Sequence, residues 1–318
     1  MKKTEYVIGI DGGGTKTLGY LASRDGTMVA EETGGPSNFQ IAGPDQAAAV
    51  LYGVVTGCCN KAGCTLSQVR SIVAGLAGAG RESDRKSMAD AFRHHARKKG
   101  AAFEFVGIES DARIALEGAF NGSAGIILIA GTGSIAFAKG YDGTIFRVGG
   151  WGRILGDEGS GYWLGREGLN LVTRNLDGRI RRTSLTKLVG EKLGLESQEQ
   201  IIAAVYRENF DVASVAPLVI QAAAEHDMEC ERILNRAAFE LTEHVRSLTL
   251  RIEASARGHA RQKLPLAFIG GVVTAETVLR KIVHHKITYS LPQITVVKPA
   301  SPPVHGAVLL ALQAAAQE

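Results

Sequence analysis

A strand, a glycine-rich turn and a second strand occur twice in this 318-residue chain. The first copy covers residues 6–20, YVIGIDGGGTKTLGY, and the second covers residues 125–139, GIILIAGTGSIAFAK. After each copy come an Asp-Gly turn, another short strand and a Gly-Gly pair, and an Asp-Gly turn between apolar runs is a strong hairpin signal. The common order predicts two three-stranded meanders and therefore a duplicated domain.

Each glycine turn is a candidate phosphate site, because consecutive glycines let several backbone N–H groups converge on one anion. In the first turn Thr15 and Thr17 add hydroxyl donors, Lys16 adds a positive charge, and Asp11 offers a carboxylate for a hydrated divalent cation. The alternative is a pair of hairpins whose glycines only make the turns. We expect the two turns to face each other across an interdomain cleft and to bind one polyphosphate.

The rest of the chain alternates apolar strands with helices, which is typical of α/β architecture, and its length predicts roughly two domains. One of these helices is predicted at 44–62, an alanine-rich stretch that starts with a proline. A mostly helical region is expected at 162–257. No stretch approaches the roughly 18 apolar residues of a membrane span. The first residues do not resemble a secretory leader, so we expect a cytoplasmic protein. The formal net charge of +4 is mild, and no aromatic platform accompanies the basic residues, so nucleic acid is not an expected partner.

The four cysteines lack the spacing of a zinc site or a disulfide framework. Cys58, Cys59 and Cys64 are predicted to be reduced thiols in one helix and at its end, and the sequence leaves their role open. No Walker-type phosphate loop is present. The loose dinucleotide pattern at 131–136 precedes a strand, whereas a Rossmann unit requires a helix there.

Asp111 follows a strand predicted at 102–106 and begins a helix. One interpretation is a helix N-cap, for which aspartate is well suited. The other is a general base that takes the proton from a hydroxyl as this hydroxyl attacks a γ-phosphate. The two interpretations are compatible.

The segment 149–165, GGWGRILGDEGSGYWLG, contains both tryptophans and the acidic pair Asp157 and Glu158. Aspartate suits sugar hydroxyl groups and a tryptophan face suits a sugar ring. The alternative is a packed loop that caps the helix expected from Ser160. Farther along, a Gly-Gly pair at 270–271 lies between a strand predicted at 265–269 and a helix predicted from Ala275. The pair would let a nucleotide base or ribose approach the backbone closely.

Together these segments resemble the N-acetylglucosamine kinase family. The residues that carry the resemblance are, in chain order, IGIDGGGTKT, GPSN at 35–38, GLAGAG at 75–80, SDA at 110–112, AGTGS at 130–134, the segment 149–165, and FIGGV at 268–272. This family is a branch of the actin, hexokinase and Hsp70 superfamily that also contains the BadF/BadG/BcrA/BcrD ATPases.

The resemblance implies an α/β fold of two duplicated ribonuclease H-like domains, the actin-like ATPase fold, with helical insertions in the second domain. The expected domain limits are 1–115 and 116–303, with the helix 304–318 closing the first domain. Since family members are often dimers, a homodimer is expected.

The resemblance also implies roles for individual residues. Asp111 matches the catalytic base, and Asp11 is expected near Mg2+. The positions that match the ATP site are Asp11, Gly12, Gly13, Gly14, Thr15, Lys16, Gly131, Thr132, Gly133, Ser134, Gly270 and Gly271. The positions that match the sugar site are Ser37, Asn38, Gly78, Gly150, Trp151, Asp157 and Gly161.

The implied reaction transfers the γ-phosphate of MgATP to the 6-hydroxyl of N-acetylglucosamine or glucosamine, and the sequence does not separate these sugars from N-acetylmuramic acid. The alternative is an ATPase activator of the BadF type, which acts on a partner protein by conformational change. Such activators hold an iron–sulfur cluster through cysteines, and no cysteine lies between Cys64 and Cys230. This absence favours the kinase. A sugar sensor without kinase activity is disfavoured because Asp111 is present.

Overall fold

The computed structural model describes residues 5–180, 183–255 and 263–317. The chain forms two compact units, Met1–Ser123 with Lys298–Glu318, and Ala124–Val297. One helix, Asp111–Ala119, runs without interruption through the predicted limit at 115. The expected limits stay a prediction about independent domains, whereas packing divides the chain after Ser123 and after Val297.

The elements of the described residues are numbered here in chain order. The strands are β1 (Tyr6–Gly12), β2 (Thr17–Ser23), β3 (Met28–Gly34), β4 (Val69–Leu76), β5 (Phe105–Ser110), β6 (Gly125–Ala130), β7 (Ser134–Lys139), β8 (Ile145–Gly149), β9 (Leu264–Ile269) and β10 (Ile294–Val297). The helices are α1 (Phe39–Ala42), α2 (Pro44–Ala62), α3 (Glu82–Lys98), α4 (Asp111–Ala119), α5 (Gly161–Leu176), α6 (Ser184–Leu193), α7 (Gln198–Arg207), α8 (Ala216–Ala224), α9 (Met228–Ser255), α10 (Gly271–Thr274), α11 (Val278–Ser290) and α12 (Pro303–Ala316).

The first unit is built on a five-stranded sheet with the order β3-β2-β1-β4-β5. Strands β1, β2 and β3 form an antiparallel meander, and β4 and β5 run parallel to β1. Because β1 lies in the middle, its side chains are buried on both faces. Ile8 and Ile10 lie in the core formed with α2 and α3, while Val7 packs on the other face with α4 and α12.

The second unit repeats this sheet. Its order is β10-β9-β6-β7-β8, with an antiparallel meander β6-β7-β8 and with β9 and β10 parallel to β6. Each strand therefore has a counterpart in the first unit, which confirms the predicted duplication. Helices α5 to α9 are inserted between β8 and β9, and the long α9 packs against β6, β7, β8 and α11.

Two element predictions were wrong in position. The strand expected at 102–106 is Phe105–Ser110, because Val106, Ile108 and Ser110 point into the protein between less buried neighbours. The helix expected from Ala275 is two helices, α10 and α11. Thr277 caps α11, since its Oγ1 accepts a hydrogen bond from Arg280 N. No helix among the described residues is long and apolar enough to cross a membrane.

Candidate active site

The first glycine turn connects β1 to β2 and presents an open loop. Gly13 N donates to Lys16 O at 3.0 Å and so closes the turn, while Ser37 N donates to Gly13 O at 3.1 Å. Gly14, Thr15 and Lys16 are exposed. Gly12 is required by packing, because a Cβ atom there would lie 2.3 Å from Ser37 Oγ. The turn is therefore rigid at its base and accessible at its tip.

Asp11 and Asp111 lie at the same edge of the first sheet. Asp11 is near the end of β1, and Asp111 directly follows β5. Carboxyl ends of parallel strands share one edge, where open α/β sheets bind ligands. Burial raises the pKa of Asp11, and the charge of Asp111 raises it further, whereas Lys16 lowers it. The negative potential at this edge suits a proton or a divalent cation.

Asp111 also has a raised pKa. Partial burial is the main cause, and the hydrogen bond from Ala112 N to Asp111 Oδ1, at 2.8 Å, opposes it. The carboxyl group keeps contact with solvent. A carboxylate that is reachable and has a raised pKa is a suitable general base near neutral pH.

The N-cap interpretation of Asp111 was wrong. The N-cap of α4 is Ser110, whose Oγ accepts from Arg113 N at 3.1 Å, and Asp111 is the first residue of the helix. The serine fixes the start of the helix, so the aspartate is not needed there as the cap. A serine at the end of a strand and three residues before a helical N–H is a recognisable sequence signal.

The predicted sugar residues of the first unit come together beside the turn. Ser37 is buried, with its Oγ 2.8 Å from Thr17 Oγ1. Asn38 caps α1 through a hydrogen bond from Gln40 N to its Oδ1. Gln40 Nε2 donates to Gly78 O at 3.0 Å, across 38 positions of sequence. Thr17 was expected to add a hydroxyl donor to the turn, but it is buried and its Oγ1 donates to Gly35 O and to Ser37 Oγ. Gln40 was not predicted, because its contact with Gly78 has no local signal in the sequence.

In the second unit, the glycine turn is hydrogen-bonded to the start of α5. Gly131 N donates to Gly133 O at 3.0 Å, which closes the turn. Gly161 N donates to Gly131 O at 2.7 Å, and Tyr162 N donates to Thr132 O at 3.1 Å. The predicted ATP residues 131–133 and the predicted sugar residue Gly161 therefore form one structural element.

Asp157 lies against this turn. Its Oδ1 accepts from Ser134 N at 3.1 Å, and Ser134 Oγ donates to Glu158 O at 2.7 Å. Both donors of Ser134 are thus used inside the protein, and Ser134 connects the turn to the loop before α5. Asp157 has a φ angle of 60°, an uncommon conformation that often occurs at functional sites.

The predicted tryptophan platform is available to a ligand. Trp151 is 74% exposed. It follows Gly150, whose φ angle is 69° and whose carbonyl accepts from Arg147 Nη2 at 2.6 Å. This hydrogen bond fixes the backbone from which the tryptophan projects.

The Gly-Gly pair after β9 combines one constrained and one open position. Gly270 has a φ angle of 90°, and a Cβ atom there would lie 2.5 Å from Ala130 O. Gly271 begins α10 and has open space around it. Close packing on β6 therefore accounts for Gly270, and Gly271 is free to contact a ligand.

The repeated meander with two further parallel strands defines the class of fold, which is the ribonuclease H-like domain of actin-like ATPases. The predicted fold class is thereby confirmed. A crystal structure of a candidate N-acetylglucosamine kinase from Chromobacterium violaceum is similar, with a TM-score of 0.71, 29% sequence identity, and coverage of 98% of this chain and 100% of that one.

The chain belongs to the BadF/BadG/BcrA/BcrD ATPase family, whose profile matches residues 8–311. It is 31% identical over 310 residues to the N-acetylmuramic acid/N-acetylglucosamine kinase of Clostridium acetobutylicum, covering 96% of this chain and 98% of the relative. It is also 31% identical over 326 residues to the N-acetyl-D-glucosamine kinase of Dictyostelium discoideum, and the match covers 97% of this chain and 98% of the relative. The resemblance found in the sequence is confirmed.

Proposed function

We propose that this protein is an ATP-dependent amino-sugar kinase. It transfers the γ-phosphoryl group of MgATP to the 6-hydroxyl of N-acetylglucosamine or glucosamine. The pairing of Asp11 with Asp111 at one sheet edge carries the proposal, because it joins a cation-binding carboxylate to a reachable base. Two sugar kinases of similar sequence over nearly their whole length support it.

Asp111 is the proposed general base. Its carboxylate accepts the proton of the sugar hydroxyl while the hydroxyl oxygen forms a bond to the γ-phosphorus. The bond between this phosphorus and the β–γ bridging oxygen breaks, and ADP leaves with the electron pair. The raised pKa of Asp111 makes the carboxylate more basic at neutral pH than an ordinary aspartate.

Asp11 is the proposed protein ligand for Mg2+. Magnesium on a nucleotide usually takes one or two carboxylates and completes its shell with phosphate oxygens and water. In the described part of the chain no group of three or more metal-ligating side chains occurs, and a single carboxylate fits this mode of binding. An ion held by Asp11 would supply positive charge that offsets the negative charge of the phosphates.

The remaining assignments follow the family pattern. The turn at 12–16, the turn at 131–134 and the pair Gly270-Gly271 are assigned to ATP, although Ser134 has its own donors occupied. The positions assigned to the sugar are Ser37, Asn38, Gly78, Gly150, Trp151, Asp157 and Gly161. A homodimer in the cytoplasm stays a prediction.

The test is ADP release by the purified protein with MgATP and each of glucosamine, N-acetylglucosamine, N-acetylmuramic acid and glucose. Phosphorus NMR of the product identifies the phosphorylated hydroxyl. We expect turnover that requires an amino sugar and yields its 6-phosphate. ATP hydrolysis at one rate with every sugar would contradict the proposal and favour an ATPase activator.

A further inference from the structure

Arg153 lines a cavity of about 720 Å3 in the second unit, and this cavity also contains Thr132 and Gly133 of the second glycine turn. We infer that Arg153 is a phosphate-binding residue whose guanidinium contacts the phosphate oxygens of the nucleotide. The inference rests on the proposed function and adds to it a residue outside the glycine turns.

The charge of Arg153 is available to a ligand. Within the part of the chain that the structure describes, its guanidinium forms no ion pair or hydrogen bond. The carboxylates of the same cavity are both occupied by backbone donors. Asp157 Oδ1 accepts from Ser134 N and Asp211 Oδ1 accepts from Ala213 N, each at 3.1 Å. Among the described residues, the guanidinium thus lines the same cavity as the turn with no carboxylate neutralising its charge.

Tyr162 holds Arg153 next to the turn. The guanidinium carbon of Arg153 lies 5.7 Å from the centre of the Tyr162 ring, which is within the range of a cation–π contact. The N–H of Tyr162 donates to Thr132 O at 3.1 Å. One residue therefore positions both the arginine and the glycine turn, and stacking leaves the edges of the guanidinium free to donate hydrogen bonds.

The lining of the cavity suits a nucleotide phosphate better than a neutral sugar. Its turn and Arg153 offer backbone and guanidinium donors, and a guanidinium matches two phosphate oxygens at once. Besides the turn, Arg153, Asn209 and the two carboxylates, the lining consists of apolar and aromatic side chains, namely Ile154, Tyr162, Val205, Tyr206, Phe210 and Val212. A neutral hexose carries no charge for the arginine to bind, whereas a triphosphate does.

The test compares Arg153→Gln and Arg153→Lys with a matched control, Arg236→Gln. Arg236 lies 5.2 Å from the ring centre of the neighbouring Trp163, but it pairs with Glu167 at 3.0 Å and does not line the cavity. Equilibrium binding of MgATP and of adenosine is measured for each variant, and the melting temperature is recorded. Turnover of N-acetylglucosamine and of N-acetylmuramic acid is assayed in parallel for the wild type and for each variant.

We expect Arg153→Gln to weaken MgATP binding by about tenfold or more, since a hydrogen bond to a charged group is lost. Adenosine affinity and melting temperature should stay at the wild-type values. Arg153→Lys should be intermediate because it keeps the charge and loses the planar fork. Arg236→Gln should bind MgATP as the wild type does.

Three results would overturn the inference. The first is an unchanged MgATP affinity in Arg153→Gln, and the second is a loss of adenosine affinity equal to the loss of MgATP affinity. The third is a loss of turnover confined to N-acetylmuramic acid, whose carboxylate would then be the group that Arg153 binds. If the wild type phosphorylates a sugar and Arg153→Gln does so with the same KM for MgATP, this inference fails while the proposed function stands. A wild-type protein that binds no MgATP would overturn the proposed function as well.

Discussion

Asp111 is the residue on which the proposed chemistry depends most, because its carboxylate accepts the proton of the sugar hydroxyl. Asp111→Asn keeps the size of the side chain and removes the proton acceptor. We expect kcat for sugar phosphorylation to fall by about 10²- to 10⁴-fold, the usual contribution of a general base, with little change in sugar affinity. Steady-state kinetics with sugar-binding titrations measure both quantities. The control is Asp90→Asn, on the exposed side of α3, and a kcat within twofold of wild type for Asp111→Asn would exclude this role.

The ionisation of Asp11 makes the stability of the folded protein depend on pH. Its pKa in the folded protein is raised from 3.8 by burial and by Asp111, so the fold binds the proton more tightly than the unfolded chain does. The stabilisation by the proton is complete below the unfolded pKa and is lost as pH rises through the folded pKa. At neutral pH the ionised carboxylate therefore destabilises the unliganded protein.

Asp11→Asn should consequently raise the melting temperature at neutral pH without Mg2+ or nucleotide, and the gain should shrink as pH falls towards 3.8. The same variant should lose activity, because the carboxylate proposed to bind Mg2+ is gone. Thermal unfolding across this pH range measures the effect, with Asp90→Asn as the reference. A lower melting temperature at neutral pH would show that the carboxylate is already neutralised by a partner.

Sequence rules identified the residues whose role follows from their neighbours in the chain. Asp11 and the glycines after it belong to one strand and one turn, so their placement follows from local pattern. The contact of Asp157 with Ser134 spans 23 positions and depends on how β7 packs against the loop before α5. No local rule gives such a pairing, and for this reason the sequence placed Asp157 only with the sugar.

At the scale of elements, the Gly270-Gly271 pair separates packing from ligand contact. Gly270→Ala places a methyl group 2.5 Å from Ala130 O at a φ angle of 90°, and we expect a loss of about 2 kcal/mol or more in the free energy of unfolding. Gly271→Ala meets open space and should preserve stability. Urea denaturation of both variants measures the difference.

The kinase activity of the two variants tests the role of Gly271. Gly271→Ala should raise the KM for MgATP if a nucleotide lies against the backbone there, while its stability stays unchanged. A fully stable Gly270→Ala protein with a raised KM for MgATP would contradict the packing explanation and would place the ligand at Gly270 instead.

The limits of helices with clear end signals and of strands with continuous apolar runs could be predicted from the sequence. The limits of strands that alternate apolar residues with glycine or charged residues could not. The limits of α2, Pro44–Ala62, match the prediction because a proline begins the helix and Gly63, in the left-handed region, ends it. Strand β5 contains Gly107 and Glu109 between its buried residues, and they weaken the apolar pattern. Its position is set by pairing with β4, which is a tertiary contact.

At the scale of the whole molecule, the duplication was visible in the sequence because each copy keeps the same order of turns. The route of the chain is less visible. It leaves the first unit after Ser123, forms the second unit, and returns for Lys298–Glu318. Helix α12 then packs against β1, β4 and α4, and Ser71 Oγ on β4 donates to Ala311 O at 2.6 Å. The end of the chain therefore supports the helix that begins with Asp111.

Gly306 on α12 lies directly against the backbone of α4. A Cβ atom there would lie 1.9 Å from Ile114 O and 2.5 Å from Gly118 N, so Gly306→Ala must move the two helices apart. We expect a loss of about 1–3 kcal/mol in the free energy of unfolding. We also expect a reduced kcat, because α4 carries Asp111 at its first position.

The exposed residue Gln313 on the same helix provides the control, and Gln313→Ala should leave both quantities unchanged. Unfolding in urea and kcat at saturating MgATP and sugar are measured on the same preparations. If Gly306→Ala lost stability but kept its kcat, α12 would contribute to the stability of the fold and not to catalysis. Parallel losses of stability and kcat would instead mean that α12 holds the proposed catalytic base in position, although Gly306 lies 195 residues after Asp111 in the sequence.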